Sequence, residues 1–195
     1  MCVRNSYNVS DYVNWDALLI LIRRLYDDGN YKISLLVSCG CFFGLRISDI
    51  RSLTWNDILD KEKVVIVEKK TKKRREIMIN PQLQKHILSC YISLKSPNKN
   101  TKCFLSQKKT VYTTQSINRI LKKVKREYDI KAEHFSTHSL RKSFGREIVE
   151  SAGKNAEFAL IKLSELFNHS NTMVTRRYLG LRKEELLETY KLLRF

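Results

Sequence analysis

Apolar residues recur along this chain at helical spacing at both ends and in short β-rich runs between. From Asn14, a cap-forming side chain, WDALLILIRRLYDD predicts a helix that stops at Gly29. YKISLLVSCGCFF predicts a second helix, ended by Gly44 where a helix-terminating glycine is expected. GLRISDIRSLT then reads as a turn feeding a short third helix. At Trp55 the pattern changes to short runs rich in Val and Ile. WNDIL, KVVIVE and REIMIN, parted by polar DKEK and KKTKKR, predict a three-stranded antiparallel meander. Pro81 opens another helix towards Leu94, followed by the loop SPNKNTK and a brief CFL strand. TQSINRILKKVKREY is a basic amphipathic helix, and after the loop EHFST three or four further helices complete the chain. The expected fold class is α+β, mainly α-helical, with a small three-stranded antiparallel sheet. With two prolines, six glycines and no internal repeat, few places exist for a break, so residues 1–195 are expected to form a single domain.

Charge changes the picture from a generic domain to one with a partner. Thirty-seven Lys and Arg against twenty Asp and Glu leave a net charge of +17 on 195 residues. An excess of that size favours a polyanion, most often nucleic acid, over a merely soluble basic surface. The opening residues MCVRNSYNVSDYVN lack the apolar core of a signal peptide, and no run is long and apolar enough to span a bilayer. A soluble, cytoplasmic protein is expected. Five cysteines without a C-x-x-C pair read as reduced thiols, Cys39 and Cys41 as packed small residues rather than metal ligands. No HExxH motif, paired carboxylates or glycine-rich phosphate loop is present, which argues against a metal nuclease or an NTPase.

Several polar residues interrupt the pattern in ways that invite chemistry. In HSLRKSFGREIVESAG, read at about 100° per residue, Leu140, Phe144, Ile148, Val149 and Ala152 form an apolar face. Arg141 falls within that face and His138 at its edge. A guanidinium is rarely buried without compensation, so Arg141 is either paired with a carboxylate such as Asp49 or part of an anion site. Arg46 follows Gly44 at the junction of two helices; two arginine forks could clamp both non-bridging oxygens of one phosphate. KKTKKRR, Lys69 to Arg75, puts six basic residues in seven at a hairpin tip, either a solvated turn or a probe of a phosphate backbone. Near the C-terminus, LFNHSNTMVTRRYLG places His169 before a cap-like Ser170-Asn171 and Tyr178 in the helix that follows.

Taken together and in this order, GLRISDI, the basic hairpin, HSLR and LFNHSNTMVTRRY resemble the tyrosine recombinase, or phage integrase, family. The turn Gly44-Leu45-Arg46-Ile47-Ser48-Asp49 matches the family's G-L-R-I-S-E/D. Lys70, Lys73 and Arg75 match K-x-x-K-x-R, and His138-Ser139-Leu140-Arg141 matches H-x-L-R unchanged. Phe167-Asn168-His169 stands where L-G-H is usual, and Tyr178 lies nine residues beyond His169 (178 − 169 = 9), the family's spacing. Asn168 replaces a glycine but is the residue that best tolerates a left-handed conformation. The similarity runs from about Asn14 to the end, a catalytic domain, and a core-binding domain is expected to be absent.

The resemblance implies a site-specific DNA recombinase that breaks and rejoins DNA through a 3′-phosphotyrosyl link, as in a phage or mobile element of bacterial or viral origin. It implies a catalytic set of Arg46, Lys70, His138, Arg141, His169 and Tyr178, with Asp49 orienting the arginines or His138. Lys69, Lys72, Lys73, Arg74 and Arg75 of the hairpin, with Lys122 and Lys123, are the expected DNA contacts. Neither metal nor ATP nor another cofactor is expected. Double-stranded DNA is the expected partner, with homo-tetramers on paired sites formed through the C-terminal helix and its Leu186, Leu187, Leu192 and Leu193. That helix could instead pack on its own domain. The alternative to an enzyme is an inactive or truncated integrase-like protein that binds DNA and regulates.

Overall fold

The computed structural model describes residues 11–192, Lys183 by its backbone alone. Asn14 caps α1 (Trp15–Asp27), its side chain accepting from the Ala17 amide. The helix buries one stripe: Leu18, Leu21, Ile22 and Leu25. α2 (Tyr31–Phe43) is buried over most of its surface and is the central element, packed between α1, α5 (Pro81–Ser93) and α7 (Thr137–Ala152). Gly44 ends α2 in the left-handed conformation (φ 55°). α3 (Ile47–Ile50) follows directly.

WNDIL is not a strand. Trp55–Ile58 form a helical turn, α4, because the Asp57 carboxylate accepts from both the amide and the hydroxyl of Thr54 at 2.7 Å. Trp55 and Ile58, three apart, are then buried on one side, a helical rather than an alternating spacing. The sheet therefore has two strands, not three: β1 (Lys63–Val67) antiparallel to β2 (Arg74–Met78), in register Lys63↔Met78 to Val67↔Arg74. The CFL segment makes no extended strand either; it has only isolated bridges, Thr54↔Lys102 just before it and Leu105↔Val111 at its last residue. α6 (Thr114–Glu127) is the amphipathic basic helix, burying Ile117, Leu121 and Val124.

α7 departs from its expected single apolar face. It buries Leu140 and Val149, but also Ser139, Arg141, Lys142, Ser143 and Arg146, because neighbours enclose it on several sides. Gly40 of α2 lets it approach, since a Cβ there would sit 2.5 Å from Leu140 Cδ1. A short 3-10 turn (Gly153–Asn155) leads into α8 (Ala156–Phe167), α9 (Thr172–Leu179) and α10 (Leu181–Tyr190). One large core joins α1, α2, α5, α6, the hairpin and the front of α7; a smaller one holds Val149, Leu160, Leu163, Phe167 and Leu179. α7 runs from the first into the second, so residues on its first turns face the seam between them. Cys39, Cys41, Cys90 and Cys103 are buried, and burial pushes their thiols up, as suits packed and unreactive side chains. No helix among the described residues is long and apolar enough to cross a membrane.

Candidate active site

Arg46, Lys70, His138, Arg141, His169 and Tyr178, spread over 133 positions (178 − 46 + 1 = 133), line a single cavity of about 400 Å³. What brings them together is the C-terminal end of α8. The Phe167 carbonyl accepts from Arg46 Nη2 at 3.0 Å and from Arg141 Nη2 at 3.3 Å. A helix end exposes unpaired carbonyls and the negative pole of its dipole, a natural seat for cations. Asn168 closes that end in the left-handed conformation (φ 54°, ψ 50°), the role its replacement of glycine requires.

Arg141 is buried, with its guanidinium over the Phe167 ring at 4.2 Å and Nη1 donating to the Gly44 carbonyl at 2.8 Å. Among the described residues it forms no ion pair, and the partnership with Asp49 is not made. Burial lowers its pKa to about 10, so it stays charged at neutral pH. Each guanidinium has five N–H donors. Those not spent on carbonyls are left for an anion.

The carboxylate that does meet the arginines is Glu68, at the end of β1. Its Oε2 accepts from Arg46 Nη1 (2.9 Å) and the Thr71 hydroxyl (2.7 Å), its Oε1 from Arg75 Nη1 (3.2 Å). Burial alone would raise its pKa. The bonds from Thr71 and Arg75 and the charge of Arg46 outweigh burial and hold it below the usual carboxylate range. Nothing in the sequence singled out Glu68; the available signal was a glutamate closing an apolar strand beside a basic turn. Asp49 does something other than expected. It is buried, and its Oδ1 accepts from the Lys69 amide at 2.9 Å, fixing the hairpin tip rather than an arginine or His138.

Tyr178 turns its hydroxyl inward. The oxygen is shielded from solvent and pushed up to about 12 by burial, a rise that the charges of Arg141 and Arg46 oppose. Arg141 is close, but no hydrogen bond of good geometry reaches the oxygen among the described residues. Lys142 Nζ, also buried and unremarked in the sequence, lies 5.4 Å from the centre of the Tyr178 ring. His169 stacks edge-on against that ring at 5.4 Å. His138, on the first turn of α7, has an outer face open to solvent. Surrounding protein and then the charges of Arg141 and Lys142 keep it below its ordinary value, so the ring is neutral at pH 7. His169 is likewise held down, by burial and then by Arg141 and Arg46.

The basic residues divide. Lys69, Lys70, Lys72 and Arg74 are exposed on the hairpin, although Arg74 also meets Glu76 at 3.2 Å. Arg75 is not the surface cation it was expected to be: it turns inward to Glu68 and to the Leu166 carbonyl at 3.0 Å. Lys73 reaches the Asn168 side chain at 2.7 Å, and Lys123 pairs with Glu127 at 3.2 Å. Lys122 lies in a cleft it shares with Arg119, Lys125, Arg126 and His134, which the sequence pattern had not distinguished.

A mainly helical domain with a small hairpin, its arginines and histidines gathered about one tyrosine, defines the tyrosine recombinase class of catalytic domains. The chain belongs to the phage integrase family, whose sequence model matches residues 25–185. A probable integrase/recombinase of Bacillus subtilis (strain 168), YoeC, is 34% identical over 165 residues, 83% of this chain and 84% of that protein. XerA recombinase superposes with a TM-score of 0.70 at 18% identity, over 100% of this chain and 68% of that one. The lambda integrase catalytic core gives 0.58 at 16% identity, over 82% and 91%. Site-specific recombination by a tyrosine enzyme is the function that membership of this family carries.

Proposed function

We propose that this chain cleaves and rejoins double-stranded DNA at a specific site through Tyr178. The observation that carries the reading is the anchoring of Arg46 and Arg141 on one carbonyl beside the Tyr178 hydroxyl. Two guanidinium groups so fixed can take both non-bridging oxygens of a phosphodiester and neutralise charge as it builds in the transition state, without reorganising. His169 adds a hydrogen bond to the same phosphate.

Tyr178 Oη attacks phosphorus, the bond to the 5′-oxygen breaks, and a 3′-phosphotyrosyl ester forms. The phenol proton passes to His138, which is neutral and able to accept it. The leaving 5′-oxygen takes a proton from Lys70, whose flexible stem suits a mobile donor. Attack by another 5′-hydroxyl reverses the steps. The ester conserves the bond energy and the guanidinium groups supply positive charge, so we assign no step to ATP or to a metal. Lys69, Lys72 and Arg74 on one side and the α6 cleft on the other would hold the DNA backbone.

A second reading, DNA binding without cleavage, is favoured by one observation: the Tyr178 hydroxyl is shielded from solvent and must be uncovered before it can attack. A nicked suicide substrate carrying the cognate site separates the two. The enzyme gives a covalent protein–DNA adduct that is lost in Tyr178→Phe with binding retained. Binding with no adduct on any such site contradicts cleavage.

A further inference from the structure

The hydroxyl of Thr175 is buried at the centre of a short polar chain. It lies 2.7 Å from Ser164 Oγ on α8 and 2.9 Å from His169 Nδ1, and Thr175 itself is wholly buried. The His169 amide donates to the Ser164 carbonyl at 2.9 Å, so the His169 backbone is fixed to Ser164 directly and its ring through Thr175. Thr175 also sits three residues before Tyr178 on α9.

Two contacts on one hydroxyl leave two proton arrangements. In one, Ser164 donates to Thr175 and Thr175 donates to Nδ1, which leaves the ring proton on Nε2. In the other, Nδ1–H donates to Thr175 and Thr175 to Ser164, which leaves Nε2 a bare acceptor. A ring kept neutral by burial and by two arginines has only one N–H to give, so the arrangement decides what it can do. A phosphate offers only acceptors. Facing it with an Nε2 lone pair would be repulsive, whereas Nε2–H adds a donor to those of Arg46 and Arg141.

We propose that Thr175 is a positioning residue whose hydroxyl, supplied by Ser164, donates to His169 Nδ1 and holds the ring in the Nε2–H form that binds a phosphate oxygen. Its purpose rests on the recombinase reading given above, but its test does not. The relay also ties α8, His169 and the helix bearing Tyr178 together, so one hydrogen-bond chain sets both the proton and the place of the ring.

Long-range proton–nitrogen correlation of the histidine rings in the ¹⁵N-labelled full chain reads the tautomer directly, with His169→Gln identifying the signal. The wild type and Thr175→Ser are expected to show a pyrrole-type Nε2 and a pyridine-type Nδ1. Thr175→Val, similar in shape but without the hydroxyl, is expected to lose that preference; Thr175→Ala is read in the same way if the valine variant does not fold. A wild-type ring protonated on Nδ1, or a folded Thr175→Val or Thr175→Ala chain with the wild-type tautomer, would overturn the proposal. On a suicide substrate, Thr175→Val should slow cleavage by about 10–100-fold with DNA affinity unchanged, and Thr175→Ser should restore it. An Nε2–H ring in a chain that forms no adduct supports the relay and counts against the recombinase reading instead.

Discussion

Tyr178 and Glu68 occupy buried positions with opposite needs. The Tyr178 hydroxyl is desolvated with no well-formed hydrogen bond among the described residues, so Tyr178→Phe removes a cost and little bonding. Thermal unfolding should show this variant as stable as the wild type, or up to about 1 kcal/mol more so, while cleavage disappears. Glu68 is the reverse: each of its oxygens is bonded, and three groups depend on it. Glu68→Ala leaves two guanidinium groups without their counter-charge and should cost about 3–5 kcal/mol in denaturant unfolding, with Glu68→Gln milder. The Glu68 pKa is depressed by folding, so its stabilisation is present above the unfolded carboxylate value and is lost as pH falls through the lower folded value. Catalysis should carry a different signature. A base must be neutral, and the His138 pKa is lowered from 6.5, so the cleavage rate should hold at pH 7 and fall with acid only below 6.5. An acid limb centred above that value would contradict the role.

At the scale of elements, the ends of α2 and α8 decide the site. Gly44 is left-handed, its carbonyl receives Arg141, and a Cβ there would lie 2.3 Å from the Phe144 ring. Gly44→Ala should therefore cost more than the roughly 1–2 kcal/mol of left-handed strain alone and should weaken cleavage with it, measured as Tm and adduct yield. Asn168→Gly should be tolerated at the α8 end, where Asn168→Val should not. The capped helices were legible from sequence because Asn14, Gly44, Pro81 and their apolar spacing are local signals. α4 was not, because its deciding contact is polar, between Thr54 and Asp57, and WNDIL is too short for spacing to speak. The six cavity residues were legible only as an ordered set. Their common support was not: the Phe167 carbonyl carries no side-chain identity, and Glu68 meets Arg46 across 22 positions. For the same reason Asp49, adjacent in sequence to the Arg46 turn, was assigned the work that Glu68 does.

For the whole molecule, the +17 charge has two exposed basic surfaces that the proposed function assigns to DNA, the hairpin and the α6 cleft. Affinity for non-cognate duplex should fall linearly on a log–log salt plot with slope about −0.9 per phosphate neutralised, and Lys122→Ala with Arg126→Ala should flatten it. At the other end, α10 is tied by ion pairs from Arg146 to Glu184 and from Arg176 to Glu185. Its Leu186, Leu187 and Tyr190 are exposed, as is Leu192 just beyond it; Leu193 lies outside the described residues. All of this converges on one tyrosine among nine. The most direct test is to trap the covalent complex on a suicide substrate, digest protein and DNA, and locate the nucleotide-bearing peptide by mass spectrometry. The nucleotide should be esterified to Tyr178. Its attachment to any other residue would contradict the site described.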